Sequence, residues 1–400
     1  TAYLTQWRGT APLALASQRV QADATAISGD SAAADNLELA YDGTGYAGGT
    51  TRQQVEIDRP QLLELTDNLS LRGRFRTFTR MLGNPLTIPH GSANGEVHAT
   101  IIQYSDGAFR WRMYYTPYPP NTFEHPWVAR SNDKATWDAT TGVSNPVIAQ
   151  GAPGSYNDGY DADPSVLYSP ANAIWMMVWQ AYSSTTGRRV IALATSANGL
   201  SWTPYAGTTV NGNAVPVILA GDDTGGQTWE QQDGTGISLV STPTLIEVGG
   251  WFHLYYCGVK TGNDYSPMGY AKFQLDGSGN VINMQRVSPS PLLTLPEDAE
   301  CVVGGNHYVI GRHGGTYYMT VVRGRVASAS HWTVGTMDRV VALMTSTDLI
   351  NWDYQGVIVR PSAGYPSWDS FQIYHSAFLM DRERNVVIED GRPLLVVSAF

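Results

Sequence analysis

Five β-hairpins repeat along this chain at nearly constant spacing, and this repeat restricts the folds that it can adopt. Each pairs an apolar strand with an aromatic-rich strand, as in "DPSVLYSPANAIWMMVWQAYS" (163–183) and "STPTLIEVGGWFHLYYCGV" (241–259). The units start 65, 78, 65 and 69 residues apart, at His98, Asp163, Ser241, Asn306 and His375. Hairpins in phase are typical of propeller blades. We therefore predict an all-β fold, a five-bladed β-propeller over residues 73–400.

A second motif runs in phase with the hairpins and favours the same fold. Three turns read "SNDKATW" (131–137), "SANGLSW" (196–202) and "STDLINW" (346–352). A short polar side chain suits such a turn, and we expect each Trp to pack between blades. The fifth unit stops after two strands, so we predict that residues 75–89 supply its outer strands and close the ring.

The composition argues against two classes of ligand. Of 400 residues, 42% are hydrophobic and only 15% are charged, with a formal net charge of −10. Phosphate binding needs Lys and Arg, so nucleic acid is not expected as a partner. No apolar run of about 18 residues occurs, so membrane insertion is not expected either. Cys257 and Cys301 are too few for a disulfide framework and lack zinc-ligand spacing.

Residues 1–72 differ from the rest of the chain. Small and polar residues dominate positions 15–50, which show no strand periodicity. We predict an extended, mostly non-globular N-terminal arm for attachment or oligomerisation, with a flexible tether of a secreted protein as the alternative. The segment "SGDSAAADNLELAYDGTGY" (28–46) resembles linkers in bacteriophage tail proteins. That resemblance implies a homo-oligomeric tail fibre or tailspike-type protein in the virion, with other tail proteins as partners of the arm.

Acidic residues occur in all five loops that lead into the predicted inner strands. They are Glu96, Asp158, Asp161, Asp163, Asp222, Asp223, Glu230, Asp233, Glu297, Asp298, Glu300 and Asp369. Because such loops surround one opening of a propeller, we predict that these acids face a common ligand. For any one of them, the alternative is a turn cap or a ligand of a structural ion.

Four of these acids are candidates for catalysis. Asp163 leads directly into a deeply apolar strand, while Glu300 and Asp369 stand at matching positions, each six residues before a unit start. Matching positions on neighbouring blades face each other across an axis, as paired catalytic carboxylates must. We predict Asp163 and Glu300 as members of the catalytic set, with Glu96 or Asp369 supplying the remaining carboxylate.

Histidines, acids and aromatic residues of the same loops are candidates for substrate binding. They are His98, Asp161, His375, Tyr160, Trp229, Glu230 and Trp368. Aromatic faces stack on sugar rings, while carboxylates and amides bind sugar hydroxyls. The alternatives are hydrogen-bonded core histidines and aromatic packing between blades. No metal site and no cofactor are predicted, with a structural or site-bound Ca²⁺ as the alternative.

The motifs "DADPSVLY", "STPTLIEVGGWFHLYYCG" and the Ser-x-Asp-type turns resemble the five-bladed propeller glycosidases, glycoside hydrolase family 43 and the related family 32. The resemblance covers roughly residues 73–400. In that group an Asp opens blade one, a second Asp opens blade two, and a Glu opens blade three. Asp163 matches the second Asp, which positions the site and tunes the acid. His98 and Ser241 stand in place of the other two, so the standard triad is not present.

Two functions therefore stay open. One is a glycoside hydrolase that cuts a bacterial surface polysaccharide with paired carboxylates at the propeller axis. The other is a non-catalytic, receptor-binding propeller that holds the same glycan without cleaving it. The surplus of loop carboxylates favours the enzyme, and the missing triad favours the binding module.

Overall fold

The computed structural model describes residues 75, 78, 86–89, 96–118, 124–232, 235–258, 267–301, 304–325, 339–361 and 373–399. Within these ranges the chain forms β-strands and a short 3-10 helix, Thr228–Glu230. The prediction of an all-β propeller is confirmed. No helix in the same ranges has the length and hydropathy needed to cross a bilayer.

The first two sheets are built from consecutive antiparallel strands. The first contains β1 (Glu96–Gln103), β2 (Trp111–Pro117), β3 (Trp127–Ser131) and a late strand, β18 (Met380–Asp381). The second contains β4 (Tyr160–Ser169), β5 (Ile174–Tyr182), β6 (Arg189–Ser196), β7 (Thr203–Pro204) and β8 (Val217–Ala220). In the first sheet β18 pairs in parallel with β1, and in the second both β7 and β8 pair with β6.

The third and fourth sheets repeat this plan with four strands each. The third contains β9 (Val240–Val248), β10 (Trp251–Gly258), β11 (Met268–Leu275) and β12 (Val281–Arg286). The fourth contains β13 (Asn306–His313), β14 (Thr316–Gly324), β15 (Arg339–Ser346) and β16 (Asp353–Val359). In both, the strand that comes first in the chain is an edge strand of its sheet.

The remaining strands of the last part of the chain form two two-stranded sheets. They are β17 (Ile373–Phe378), β19 (Ile388–Glu389), β20 (Arg392–Pro393) and β21 (Leu395–Ala399). β17 and β21 form a two-stranded antiparallel sheet. Because β17 contacts both β1 and β13, and β4 and β9 contact each other and their neighbours, the five first strands surround one axis.

The predicted number of blades is wrong. The described residues form four blades of four or five strands, and the fifth position carries only the β17–β21 pair. The predicted donor of the missing outer strands, residues 75–89, lies mostly outside the described residues. Thr87, which is described, bridges to Thr136 beside the first sheet instead.

The chain divides into two compact units. One comprises residues 1–77 with 390–392, and the other comprises residues 78–389 with 393–400. The second unit carries the four blades. The predicted boundary between an arm (1–72) and a propeller (73–400) falls outside the described residues and stays a prediction.

The Ser-x-Asp-type turns have the structure that their sequence predicts. In each, one polar side chain accepts hydrogen bonds from backbone N–H groups two and three residues later. These side chains are Asp133, Asn198 and Asp348. Trp202 meets Tyr114 of the preceding blade edge-on at 6.1 Å, and Trp352 meets Tyr255 in the same way at 5.8 Å. For these two residues, the prediction of packing between blades is confirmed.

Candidate functional site

Four of the five innermost strands carry the same irregularity where they approach the axis. β1, β4, β9 and β13 each contain a register shift, and at each one a residue other than glycine has a left-handed φ. These residues are His98 (59°), Asp163 (55°), Thr242 (45°) and His307 (49°). Such φ values are uncommon outside glycine and costly for a β-branched residue, so they point to a functional site. A bulge also re-aims a side chain, which explains how separate strands bring these residues together.

Asp163 lies at the centre of the contacts. Its Oδ1 atom is 2.9 Å from His307 Nδ1 and 3.2 Å from His98 Nε2. On the other edge of the His98 ring, Nδ1 is 2.7 Å from Thr116 Oγ1 and 3.6 Å from Glu124 Oε2. His98 therefore lies between the carboxyl groups of Asp163 and Glu124.

Aromatic rings pack around this group. The rings of His98 and His307 stack with their centroids 5.0 Å apart, and His375 meets them edge-on at 5.7 and 5.6 Å. Tyr374 contacts the first two rings at 5.4 and 5.0 Å, and the Arg339 guanidinium lies 4.9 Å from the Tyr374 ring centroid. We call Glu124, Asp163 and these four ring residues, His98, His307, Tyr374 and His375, the axis cluster.

Burial controls the charge of the axis cluster. It lowers the pKa of His98 to about 3 and the pKa of His307 to about 3, and it lowers the pKa of His375 well below the usual value. The imidazoles are therefore neutral at pH 7. Burial, and then the charge of Asp163, raise the pKa of Glu124 to about 8, and burial also raises the pKa of Asp163.

The axis cluster has the donor atoms of a metal site. One ligand atom each from His98, Asp163 and His307 lies within 4.8 Å of the others. Neutral imidazole and carboxylate are metal ligands. A small cavity adjoins them, with Thr242, Thr244, Ser165 and His375 in its wall. A sugar hydroxyl, a water molecule or a cation would find oxygen and nitrogen partners here.

Of the predicted substrate-binding residues, the structure brings His98 and His375 into the axis cluster. Tyr160 stacks on Tyr182 at 4.8 Å, and its hydroxyl accepts a hydrogen bond from Gln180 Nε2. Burial, and to a smaller extent the charges of Glu124 and Asp163, raise the pKa of Tyr160 to about 12. Tyr160 therefore lies close enough to the axis cluster to be influenced by its charge.

Asp161 has a different environment from Asp163, although only Ala162 separates the two in the sequence. Its carboxyl group is inaccessible and accepts hydrogen bonds from Trp179 Nε1 (2.7 Å) and Asn157 Nδ2 (2.9 Å). His125 Nδ1 lies 3.1 Å from the second oxygen. These contacts join Asp161 of β4 to β5, to the loop before β4 and, through His125, to the first blade, and they occupy both oxygens.

Glu230 and Trp229 belong to a buried network in the third blade. Arg286 Nε lies 3.1 Å from both oxygens of Glu230, and the Tyr256 hydroxyl donates to Oε1. Trp229 stacks on Tyr256 at 6.0 Å. The structure shows packing and charge pairing for these two residues, and their role in substrate binding stays a prediction.

The structure does not bring Glu300 to the axis cluster. Its two carboxylate oxygens pair with Arg360 Nε and Nη2 at 2.7 and 2.8 Å, directly after the outermost strand β16. Asp369 and Trp368 lie outside the described residues. Glu96 begins β1, but its side chain is outside the description as well.

Glu124 is the residue that sequence reasoning missed as a catalytic candidate. It precedes β3 in the first blade rather than a first strand, within the stretch "YYTPYPPNTFEHPW" (114–127). The sequence feature that could have identified Glu124 as a candidate is an acidic residue among aromatic residues and prolines. His307 directly follows the start of the fourth unit in the sequence. Only the bulges in the structure show that its position in β13 is equivalent to that of Asp163 in β4.

Comparison with known proteins supports the fold. No protein-family profile and no curated protein matches the chain. An N-acetylgalactosamine deacetylase from F. plautii is similar in structure, with a TM-score of 0.51 and 17% identity over 80% of this chain and 94% of that one. A glycoside hydrolase (TM-score 0.52, 13% identity, 78% and 89%) and a thermostable family-43 glycoside hydrolase (0.50, 12%, 79% and 95%) are also similar. At these identities the likeness shows a shared fold.

Proposed function

We propose that this protein is a glycoside hydrolase that cuts a bacterial surface polysaccharide at the axis cluster. The observation that carries the proposal is the placement of two carboxyl groups beside one imidazole, with Asp163 3.2 Å and Glu124 3.6 Å from His98. Glycoside hydrolysis needs a proton donor and a second carboxylate near the scissile bond. The shared fold with glycoside hydrolases supports this choice.

The two carboxyl groups suit different roles. Glu124 is partly exposed, at 19% of its side chain, and its raised pKa keeps it protonated at neutral pH. It is the candidate donor of a proton to the leaving oxygen. Asp163 is buried and sits between two imidazoles, so it is the candidate for activating water or stabilising the charge that develops on the sugar. The cavity hydroxyls and His375 would bind one sugar hydroxyl or the attacking water.

The test uses polysaccharide purified from the surface of host bacteria. We expect the full chain to generate new reducing ends and Asp163→Asn to slow their release by about 10²–10⁴-fold. The variant must show an unfolding transition near that of the parent chain. Release by folded Asp163→Asn at the parental rate would show that the axis cluster is not the reaction centre.

A second candidate is removal of an acyl group from an N-acetylated sugar of the same glycan. It is favoured by the two imidazoles beside Asp163, a donor set found in metal-assisted hydrolysis. The similar structure of an N-acetylgalactosamine deacetylase also supports it. Acetate release without new reducing ends would identify this reaction. Glycan binding with neither product would instead favour the non-catalytic, receptor-binding propeller.

We also propose that the protein acts outside the host cell as part of a phage tail, as a homo-oligomer formed through residues 1–72. The resemblance of residues 28–46 to tail linkers supports this context. Mass measurement in solution on the full chain and on a chain lacking residues 1–72 tests the assembly. An oligomer that becomes a monomer on deletion is expected, and a monomeric full chain would contradict the proposal.

A further inference from the structure

The His98 Nε2 atom faces the Asp163 carboxyl group without making a hydrogen bond to it. Thr116 Oγ1 lies 2.7 Å from His98 Nδ1 and 3.4 Å from the carbonyl oxygen of Val97. In the tautomer in which His98 Nδ1 donates to Thr116, Nε2 carries a lone pair. That lone pair lies 3.2 Å from Asp163 Oδ1, and Nε2 has no hydrogen-bond partner within the described residues. A cation or a proton between the two atoms satisfies both lone pairs.

Other atoms of the axis cluster are also left without a partner in the described part of the chain. Glu124 Oε2 and His375 Nδ1 are inaccessible to solvent and make no hydrogen bond there. Buried polar atoms are usually paired, and each unpaired one costs free energy. Three such atoms in one cluster, on His98, Glu124 and His375, indicate a ligand at this place, and a ligand bound between His98 and Asp163 would satisfy the first of them.

The spacing of the atoms fits one metal ion. Asp163 Oδ1 is 2.9 Å from His307 Nδ1 and 3.2 Å from His98 Nε2, and one ligand atom from each residue lies within 4.8 Å of the others. Two ligands on a tetrahedral ion with bonds of about 2.0–2.1 Å are roughly 3.3 Å apart. Thr116 holds the far side of the His98 ring, which is the usual support of a metal-binding histidine.

We propose that His98, Asp163 and His307 bind one divalent transition-metal ion, with zinc as the best match. Two imidazole nitrogens and one carboxylate oxygen suit zinc, iron or nickel, whereas Ca²⁺ takes six to eight oxygen ligands. Three protein ligands leave a position for water, as in catalytic zinc sites. Glu124 is then the carboxyl group beside the metal ligands that is left free to transfer a proton.

This inference changes the role of Asp163 in the reaction and can be tested without any glycan. A metal ion held by Asp163 would bind and polarise the attacking water, so Asp163 would not activate that water directly. The chain could cleave glycan without binding metal, or bind metal without cleaving glycan, and each result can be measured. The two proposals therefore fail independently.

The experiment titrates the full chain, free of affinity tags and stripped of metal with a chelator, with Zn²⁺ in a calorimeter. We expect one ion per chain, and binding roughly 100-fold weaker or worse in His307→Gln, since even supporting residues of metal sites are worth 10–100-fold. The matched control is His253→Gln. His253 stacks on Tyr270 in the third blade, away from the three ligands, so this variant should bind Zn²⁺ like the parent chain.

A second measurement covers the case in which His307→Gln does not fold. Co²⁺ in place of Zn²⁺ should give the parent chain the visible absorption of a four-coordinate nitrogen and oxygen site, and Zn²⁺ should displace it. Absence of one-to-one binding by the folded parent chain would overturn the proposal. Binding that His253→Gln reduces as much as His307→Gln would do the same.

Discussion

At the scale of single residues, three acidic side chains that were predicted as one group have three different environments in this protein. Asp163 contacts imidazoles at the axis, Glu230 is neutralised by Arg286 inside the third blade, and Glu300 pairs with Arg360 near the surface. The sequence predicted all three in loops that lead into first strands, but the structure places Asp163 within β4 and Glu230 in the 3-10 helix. Their position before a first strand identified them as a group, but only the partner that the fold supplies separates one role from another.

The buried network predicts a large effect of one substitution. The carboxyl groups of Asp223 and Glu230 are inaccessible and both pair with Arg286, at 2.6 and 3.1 Å. Arg286→Met leaves two carboxylates without their cation, so we expect the free energy of unfolding to fall by about 3–5 kcal/mol. Chemical denaturation of the parent chain and the variant measures this change in the free energy of unfolding.

The matched control is Arg360→Met. Arg360 is about half exposed and forms a surface ion pair with Glu300, so its loss should cost under about 1 kcal/mol. Equal losses in the two variants would mean that the Arg286 network does not contribute as its burial suggests.

At the scale of elements, strand and turn positions followed from sequence, whereas the bulges did not. Alternating apolar residues and the Ser-x-Asp-type turns predicted the hairpins. The left-handed residues of the inner strands are His98, Asp163, Thr242 and His307, and none is a glycine. His and Asp adopt this conformation more readily than Thr, but it is uncommon at all three residue types, so local preference does not identify these positions. The surrounding sheets impose it, so it could not be predicted from the sequence.

A turn of the second blade gives an element-scale prediction. Gly199 has φ +71°, and an added Cβ would lie 2.5 Å from Arg112 Nη1 and 3.0 Å from the Tyr114 hydroxyl. That hydroxyl donates to the Gly199 carbonyl and joins the first two blades. Gly199→Ala should therefore strain the backbone and displace both neighbours. We expect the free energy of unfolding to fall by about 2–4 kcal/mol, with a lower melting temperature.

Gly187 supplies the comparison for this variant. Its φ is +74°, nearly the same, but an added Cβ would meet no atom within 4 Å. Gly187→Ala should cost only the backbone strain, about 1–2 kcal/mol. If thermal unfolding shows the two variants to be equally destabilised, the contact between the first two blades does not depend on this close approach.

At the scale of the whole molecule, ring closure depends on a small sheet. Hairpin spacing predicted five units around an axis, and five first strands do surround it. The number of blades was wrong because two strands in the last unit do not make a complete sheet, and sequence pattern could not show where residues 75–89 pair. The axis cluster needs this closure, since His375 and Tyr374 come from β17.

Truncation tests the importance of closure. A chain that ends at residue 361 lacks β17 to β21, so β1 and β13 lose β17 as their common neighbour and β1 also loses its parallel partner β18. We expect it to lose the cooperative unfolding transition, as followed by circular dichroism on heating. A chain that lacks the predicted arm, residues 1–72, should keep the transition. A cooperative transition near the parental temperature in the chain ending at 361 would contradict the role of β17.

The central claim is that reaction occurs at the axis cluster, and one rate comparison tests it most directly. Reducing-end release from host surface polysaccharide is measured for Glu124→Gln and Glu300→Gln side by side. Glu124 lies beside His98, whereas Glu300 pairs with Arg360, so we expect Glu124→Gln to lose about 10²–10⁴-fold and Glu300→Gln to cleave at nearly the parental rate. Loss of cleavage in folded Glu300→Gln, with Glu124→Gln unimpaired, would contradict the account.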